Sequence, residues 1–202
     1  ITIFQRIIPH YRTGFFKRFC GKYADTKILY GQPYADESLQ NAGNLNENYF
    51  IKCKNYYLDI KGKIFVSGIW SKLKEIRPEI VISVFNVGNL NIYILILLKR
   101  FFKWKVILWS FGYDPISGID QDNKITDKIR LYLSQKADAV IFYWENGKDE
   151  VSKFSKKTEH YFTAPNTLNN DRQIELKKIF DRAGRDNVKA ELGVKEKSHF
   201  VY

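Results

Sequence analysis

The sequence predicts an open, mostly parallel α/β sheet with helices on both faces. Three observations carry that expectation. Strand-like and helix-like segments alternate along most of the chain. Strands such as EIVISVF and KVILWS lack polar alternation, the pattern of strands buried on both faces. The segments between the later strands have the length and periodicity of helical crossovers, which parallel strands need.

The elements follow in order. Residues 2–8 read as the first strand, then a Pro-His-Tyr-Arg-Thr-Gly loop, then a helix over 15–23. TKILYGQ, at 26–32, is a second strand, and 33–48 is polar and loop-like. FIKCKNYYLDIKGKIFV reads as one or two extended segments turning near Lys61-Gly62. A helix over 67–77 stops at Pro78, which restarts the chain into the strand EIVISVF. The pattern then gives a helix over 89–102, a strand over 105–110 and a helix over 125–136. A strand over 139–143, a helix over 146–155 and a short strand over 160–163 complete it.

The chain has 202 residues, 45% hydrophobic and 27% charged, which suits a folded, soluble domain with a real core. The longest apolar run, 92–98, is far short of the ~20 residues of a membrane span and reads as a buried helix. Cys20 and Cys53 are too few for a disulfide framework or a zinc site, and are expected as reduced core residues of a cytosolic protein. The chain lacks Met, opens on a strand and ends on HFVY, which looks like another strand beginning, so it reads as a piece of a longer protein. Its net charge of +11 is uneven. Lys and Arg outnumber Asp and Glu 17 to 7 over residues 1–110, but only 16 to 15 over the remainder. Much of the excess is interleaved with rings, in FFKRFCGKY and LLKRFFKWK. Such surface suits phosphate-rich partners, nucleic acid or an anionic bilayer, and a solvated helix face explains it equally.

Ligands of open α/β sheets bind beyond the carboxyl ends of the strands. The segments to watch are therefore 9–14, 86–89, 110–114, 144–147 and 164–167. There is no GxGxxG after the first strand, no GxxxxGK[ST], no serine nucleophile elbow and no HExxH.

Six segments, in order, resemble the N-terminal half of a GT-B glycosyltransferase of the family 4 kind. They are ITIFQRIIPHYRTGFFKRF, RPEIVISVFNVGN, KVILWSFGYDP, QKADAVIFYWENGKDEVSKF, HYFTAPNTLN and VKAELGVKEKSHFVY. Each is a common α/β phrase; their order across the chain carries the likeness. The resemblance implies a Rossmann-like acceptor domain over 1–168, then an inter-domain segment and the start of a truncated second domain over 169–202. It also implies a retaining enzyme that moves sugar from a nucleotide-sugar donor to a saccharide or lipid-linked acceptor, as in bacterial surface polysaccharide synthesis. Most donor contacts would lie in the missing half, so this piece alone is expected to be inactive. No metal or other cofactor is expected. The protein is placed in the cytoplasm, in peripheral contact with the inner face of the membrane, with no specific nucleic acid as partner.

The residues themselves supply binding candidates and no catalytic assignment. Gly112 lets the chain turn tightly and approach a ligand. Phe111 stands where many members of the family carry histidine, and a phenyl ring can only pack or stack. Ser110, Tyr113 and Asp114 offer polar groups, with Asp114 also an ordinary turn starter before proline. Arg12, Thr13 and Gly14 precede a helix whose N-terminus favours phosphate, and Thr13 as a plain cap explains them as well. His10, Asn86, Asn89, Glu145 and Asn166 complete the set, each with an ordinary alternative as a surface, turn, capping or hinge residue. The runner-up reading is a non-catalytic Rossmann-like module that binds a nucleotide or nucleic acid through its basic half.

Overall fold

The computed structural model describes residues 1–59, 61–113, 118–120, 122, 124–165, 170–184 and 187. The chain divides into two compact units, Ile1–Asn166 and Thr167–Tyr202. In the second, the described element is a helix, Asn170–Ala183, on which Ile174, Leu176 and Ile179 are exposed.

The first unit is built on a sheet whose neighbouring strands all pair in parallel. Its strands are β1 (Thr2–Gln5), β2 (Lys27–Tyr30), β3 (Phe50–Lys52), β6 (Ile80–Val84), β7 (Lys105–Ser110), β8 (Ala139–Phe142) and β9 (Tyr161–Thr163). They lie in the order β3-β2-β1-β6-β7-β8-β9. The fold is the expected Rossmann-like α/β one. The order in which the chain adds strands reverses between β1 and β6, and this switch point opens a crevice at the carboxyl ends of the strands. Between β3 and β6 the chain inserts an antiparallel hairpin, β4 (Asn55–Tyr57) with β5 (Phe65–Ser67), which turns near Gly62 at φ +64°.

Residues alternate between the two faces of the sheet. Phe4, Leu29, Val81, Leu108 and Val140 point to one core with α2 (Trp70–Ile76), α3 (Leu90–Phe102), α4 (Ile125–Lys136) and α5 (Glu145–Ser152). Ile3, Ile28, Ile82 and Trp109 point to the other, where α1 (His10–Lys22) contributes Phe16 and Cys20 at i and i+4. Both cysteines are free thiols in the interior, and burial raises their pKa values. Helix ends obey local chemistry. Asn89 caps α3 by accepting from the Asn91 amide at 3.2 Å, and α2 ends on Arg77 in the left-handed region, just before Pro78.

Three expectations are corrected. β1 stops at Gln5 because Arg6–Ile8 leave the sheet for other partners: Gly31 N donates to the Arg6 carbonyl, and Asn41 Oδ1 accepts from Ile8 N. α1 starts at His10, directly after Pro9, so the loop expected over 10–14 is helix. Thr13 is thus not a cap; its hydroxyl donates to the His10 carbonyl one turn back, at 2.7 Å. Run 92–98 is buried on one face only, with Ile92 and Leu95 inside and Leu97 78% exposed.

Candidate functional site

The crevice at the switch point holds a cavity of about 760 Å³. It collects Arg12 from α1, residues 84–88 from the end of β6 onward, Ser110 at the end of β7 with Phe111, Gly112 and Tyr113 after it, Tyr143 after β8, and Arg130 from α4. Lys63 enters from the hairpin. Phe65 N donates to the Gly88 carbonyl at 3.0 Å, and a Cβ on Gly88 would sit 2.1 Å from the Lys63 carbonyl. Only glycine lets these backbones touch, and their contact holds Lys63 at the rim.

Arg12 is the most constrained cation. Its guanidinium donates to Gln5 Oε1 at 2.9 Å and to the Tyr143 hydroxyl at 3.1 Å. It also lies 5.1 Å from the Trp109 ring centroid and 5.5 Å from that of Tyr143. Stacking of this kind adds on the order of 1 kcal/mol per ring and fixes the plane of the charge. Around it the rings touch in sequence. Phe111 meets Tyr143 edge-on at 5.0 Å, and Tyr113 stacks on Trp144 at 5.7 Å. Phe111 is 51% exposed, so it offers a ring to a ligand.

The loop after β7 is locked onto the start of α5. Trp144 Nε1 donates to the Phe111 carbonyl at 3.0 Å, and Ser110 Oγ accepts from Gly112 N at 2.9 Å. Gly112 has φ +94°, and a Cβ there would lie 2.8 Å from the Gly147 carbonyl. Its glycine is required by this packing against α5; the sequence suggested close approach to a ligand.

The candidates separate by position. Arg12, Asn86, Ser110, Phe111, Gly112 and Tyr113 line the cavity. Asn86 Oδ1 accepts from Gly88 N at 2.8 Å, which shapes its loop. Asn89 is 2% exposed and committed to capping, so it is out of a ligand's reach. His10, Thr13, Gly14 and Glu145 do not line the cavity. His10 packs edge-on against Tyr11, and Glu145 opens α5 and pairs with Lys148, which holds its carboxyl below the usual range. Asp114 and Asn166 lie outside the described residues. Sequence reasoning missed Tyr143, Arg130 and Lys63. Tyr143 follows directly on β8 and could have been found by extending the exit loop back by one residue. Among the described residues no group of three or more His, Cys, Asp or Glu is arranged to hold a metal.

No family model matches the chain, and no curated protein matches it. Among solved structures it is similar to the crystal structure of Anabaena HepE in complex with UDP, with 11% identity and a TM-score of 0.50. The match covers 88% of this chain and 49% of that one, so the chain spans about half the length of HepE. At this identity the likeness is one of fold.

Proposed function

We propose that the chain is the acceptor-side half of a GT-B glycosyltransferase, retaining and of the family 4 kind, which transfers sugar from a nucleotide sugar to a saccharide or lipid-linked acceptor. The observation that carries the reading is the lining of the switch-point cavity. Aromatic rings suited to the apolar side of a sugar ring stand beside groups that hydrogen-bond hydroxyls: Phe111 and Tyr113 with Arg12, Ser110, Asn86 and the Tyr143 hydroxyl. The shared fold with a UDP-bound protein supports it.

The chain itself provides the test, by tryptophan fluorescence titration, since Trp109 and Trp144 neighbour the cavity. Saccharides and UDP-sugars are expected to bind weakly and to lose affinity about tenfold in Phe111→Ala. Salt-sensitive binding of duplex or single-stranded DNA, with no response to any saccharide or UDP-sugar, would replace this reading with the nucleic-acid module.

The proposal extends to a bilayer. Among the described residues no helix is long and apolar enough to cross a membrane. Of the rings named with the basic runs, Phe16 and Trp104 are core, and Phe102 stacks on Trp104 at 4.6 Å. Leu97 and Phe101, i and i+4 on α3, are 78% and 79% exposed. Exposed Lys74, Arg77, Arg100 and Lys103 lie near the same end of α3, beside the amino-terminal ends of β6 and β7 and so opposite the cavity. Cations near an anionic surface contribute about 1 kcal/mol each, and exposed rings enter the headgroup layer. Co-sedimentation with phosphatidylserine vesicles at low salt is expected, to be lost at high salt, with neutral vesicles and in Leu97→Ser/Phe101→Ser. Equal, negligible binding to both vesicle types at low salt would remove the membrane from the account.

A further inference from the structure

The cavity carries a charge imbalance that a neutral ligand would leave unanswered. Arg12, Lys63 and Arg130 line it, and among its described lining residues there is no carboxylate. Arg130 is neutralised by Asp127, which also accepts from Asp120 N at 3.0 Å. Among the described residues Arg12 has no such partner: its side-chain acceptors are the neutral Gln5 amide and the Tyr143 hydroxyl. Its buried Nε makes no hydrogen bond among the described residues, and neither does the Nε2 of Gln5, a side chain only 2% exposed. Most half-buried arginines are answered by an acid, because an uncompensated guanidinium loses hydration without recovering it. Here the rings of Trp109 and Tyr143 hold the charge in place, and no carboxylate among the described residues answers it.

We infer that the cavity binds a ligand carrying an anionic group, phosphate or carboxylate, with Arg12 as its principal counter-charge and Lys63 as an adjustable second. The inference rests on the proposed saccharide site and deepens it, giving the substrate class as an acidic or phosphorylated sugar. Arg12 supplies a planar fork fixed by stacking, which suits two oxygens of one anion. Lys63 is exposed at the rim, where a flexible ammonium can follow anions of different reach. The same chemistry reaches the cavity from two sources, the carboxylate of a uronic acid or a sugar-borne phosphate or pyrophosphate.

Four probes separate the outcomes in fluorescence titrations of the chain: methyl glucoside, methyl glucuronide, glucose 1-phosphate and inorganic pyrophosphate. At least one of the two charged sugars is expected to bind tenfold or more tighter than methyl glucoside, and the preferred one names the source. Affinity for it should fall tenfold or more in Arg12→Gln, recover in part in Arg12→Lys and fall about threefold in Lys63→Gln. The last residue is exposed, so that variant remains informative if Arg12→Gln fails to fold. Tight binding of pyrophosphate, lost in the same variants, would assign the site to a diphosphate group and support the inference. Equal affinity for neutral and charged sugars, unchanged by Lys63→Gln and Arg12→Lys, would overturn it while leaving the saccharide reading intact. Failure of all four probes would overturn both.

Discussion

Gly112→Ala is expected to destabilise the first unit by roughly 3 kcal/mol and to abolish ligand binding at the cavity. Two costs combine. Alanine at φ +94° occupies a backbone region that side chains rarely adopt, at about 1–3 kcal/mol. Its Cβ would also stand 2.8 Å from the Gly147 carbonyl and 3.0 Å from the Phe142 ring, a clash of the overpacking kind, typically about 1–3 kcal/mol. The reciprocal change, Gly147→Ala, brings a Cβ to 2.3 Å from the Phe111 carbonyl and 2.5 Å from Trp144 Nε1. Both variants open the same contact, so the double variant should lose less than the sum of the two. Urea unfolding of the parent and the three variants measures it. Additive losses, or a Gly147→Ala protein as stable as the parent, would show that this contact does not hold the rim together.

Asn55→Leu should cost about as much, for a different reason. Asn55 is 3% exposed and ties three chain segments together. Its Nδ2 donates to the Arg6 carbonyl at 2.9 Å and the Gln32 carbonyl at 2.8 Å, and its Oδ1 accepts from the buried Ser67 hydroxyl. Its backbone amide and carbonyl meet the Gln32 side chain at 2.9 and 2.6 Å. Leucine fills a similar volume but makes none of the side-chain bonds and strands the Ser67 hydroxyl. At about 1 kcal/mol for each of the three lost bonds and about 1–3 kcal/mol for the buried orphan, less about 1.5–3 kcal/mol returned by burying the leucine side chain, the net loss is roughly 3 kcal/mol. The hairpin that carries Lys63 should loosen with it, so amide exchange at Phe65–Ser67 should quicken more than exchange in β7. An unfolding midpoint equal to the parent's would contradict this.

Much of the fold was legible because it is written locally. The helix at 125–136 and the strand at 105–110 are found with the bounds expected from their apolar spacing and flanking turns. The beginning of α1 was not, because Thr13-Gly14 look like turn residues in isolation; in the structure Thr13 bonds within the helix instead. β1 ended early for a tertiary reason: Asn41, 33 residues away, takes the Ile8 amide. The site shows the same division. Segments following β6 and β7 were anticipated from the rule of strand ends. The pairing of Arg12 with Tyr143 spans 131 residues, and Lys63 arrives on an inserted hairpin; neither leaves a local signature. Gly112 was recognised as special, but the partner that makes it so, Gly147, becomes visible only once β7 and β8 lie side by side.

The switch-point cavity is proposed as the place where a sugar ligand binds. Amide chemical-shift mapping of the labelled chain, titrated with the tightest-binding saccharide of the panel, tests it most directly. Shifts are expected to concentrate at Asn86, Gly88, Ser110–Gly112 and Tyr143, to converge on one dissociation constant and to vanish in Phe111→Ala. Shifts confined to the Leu97–Phe101 end of α3, or spread evenly over the surface with the cavity resonances unmoved, would contradict it.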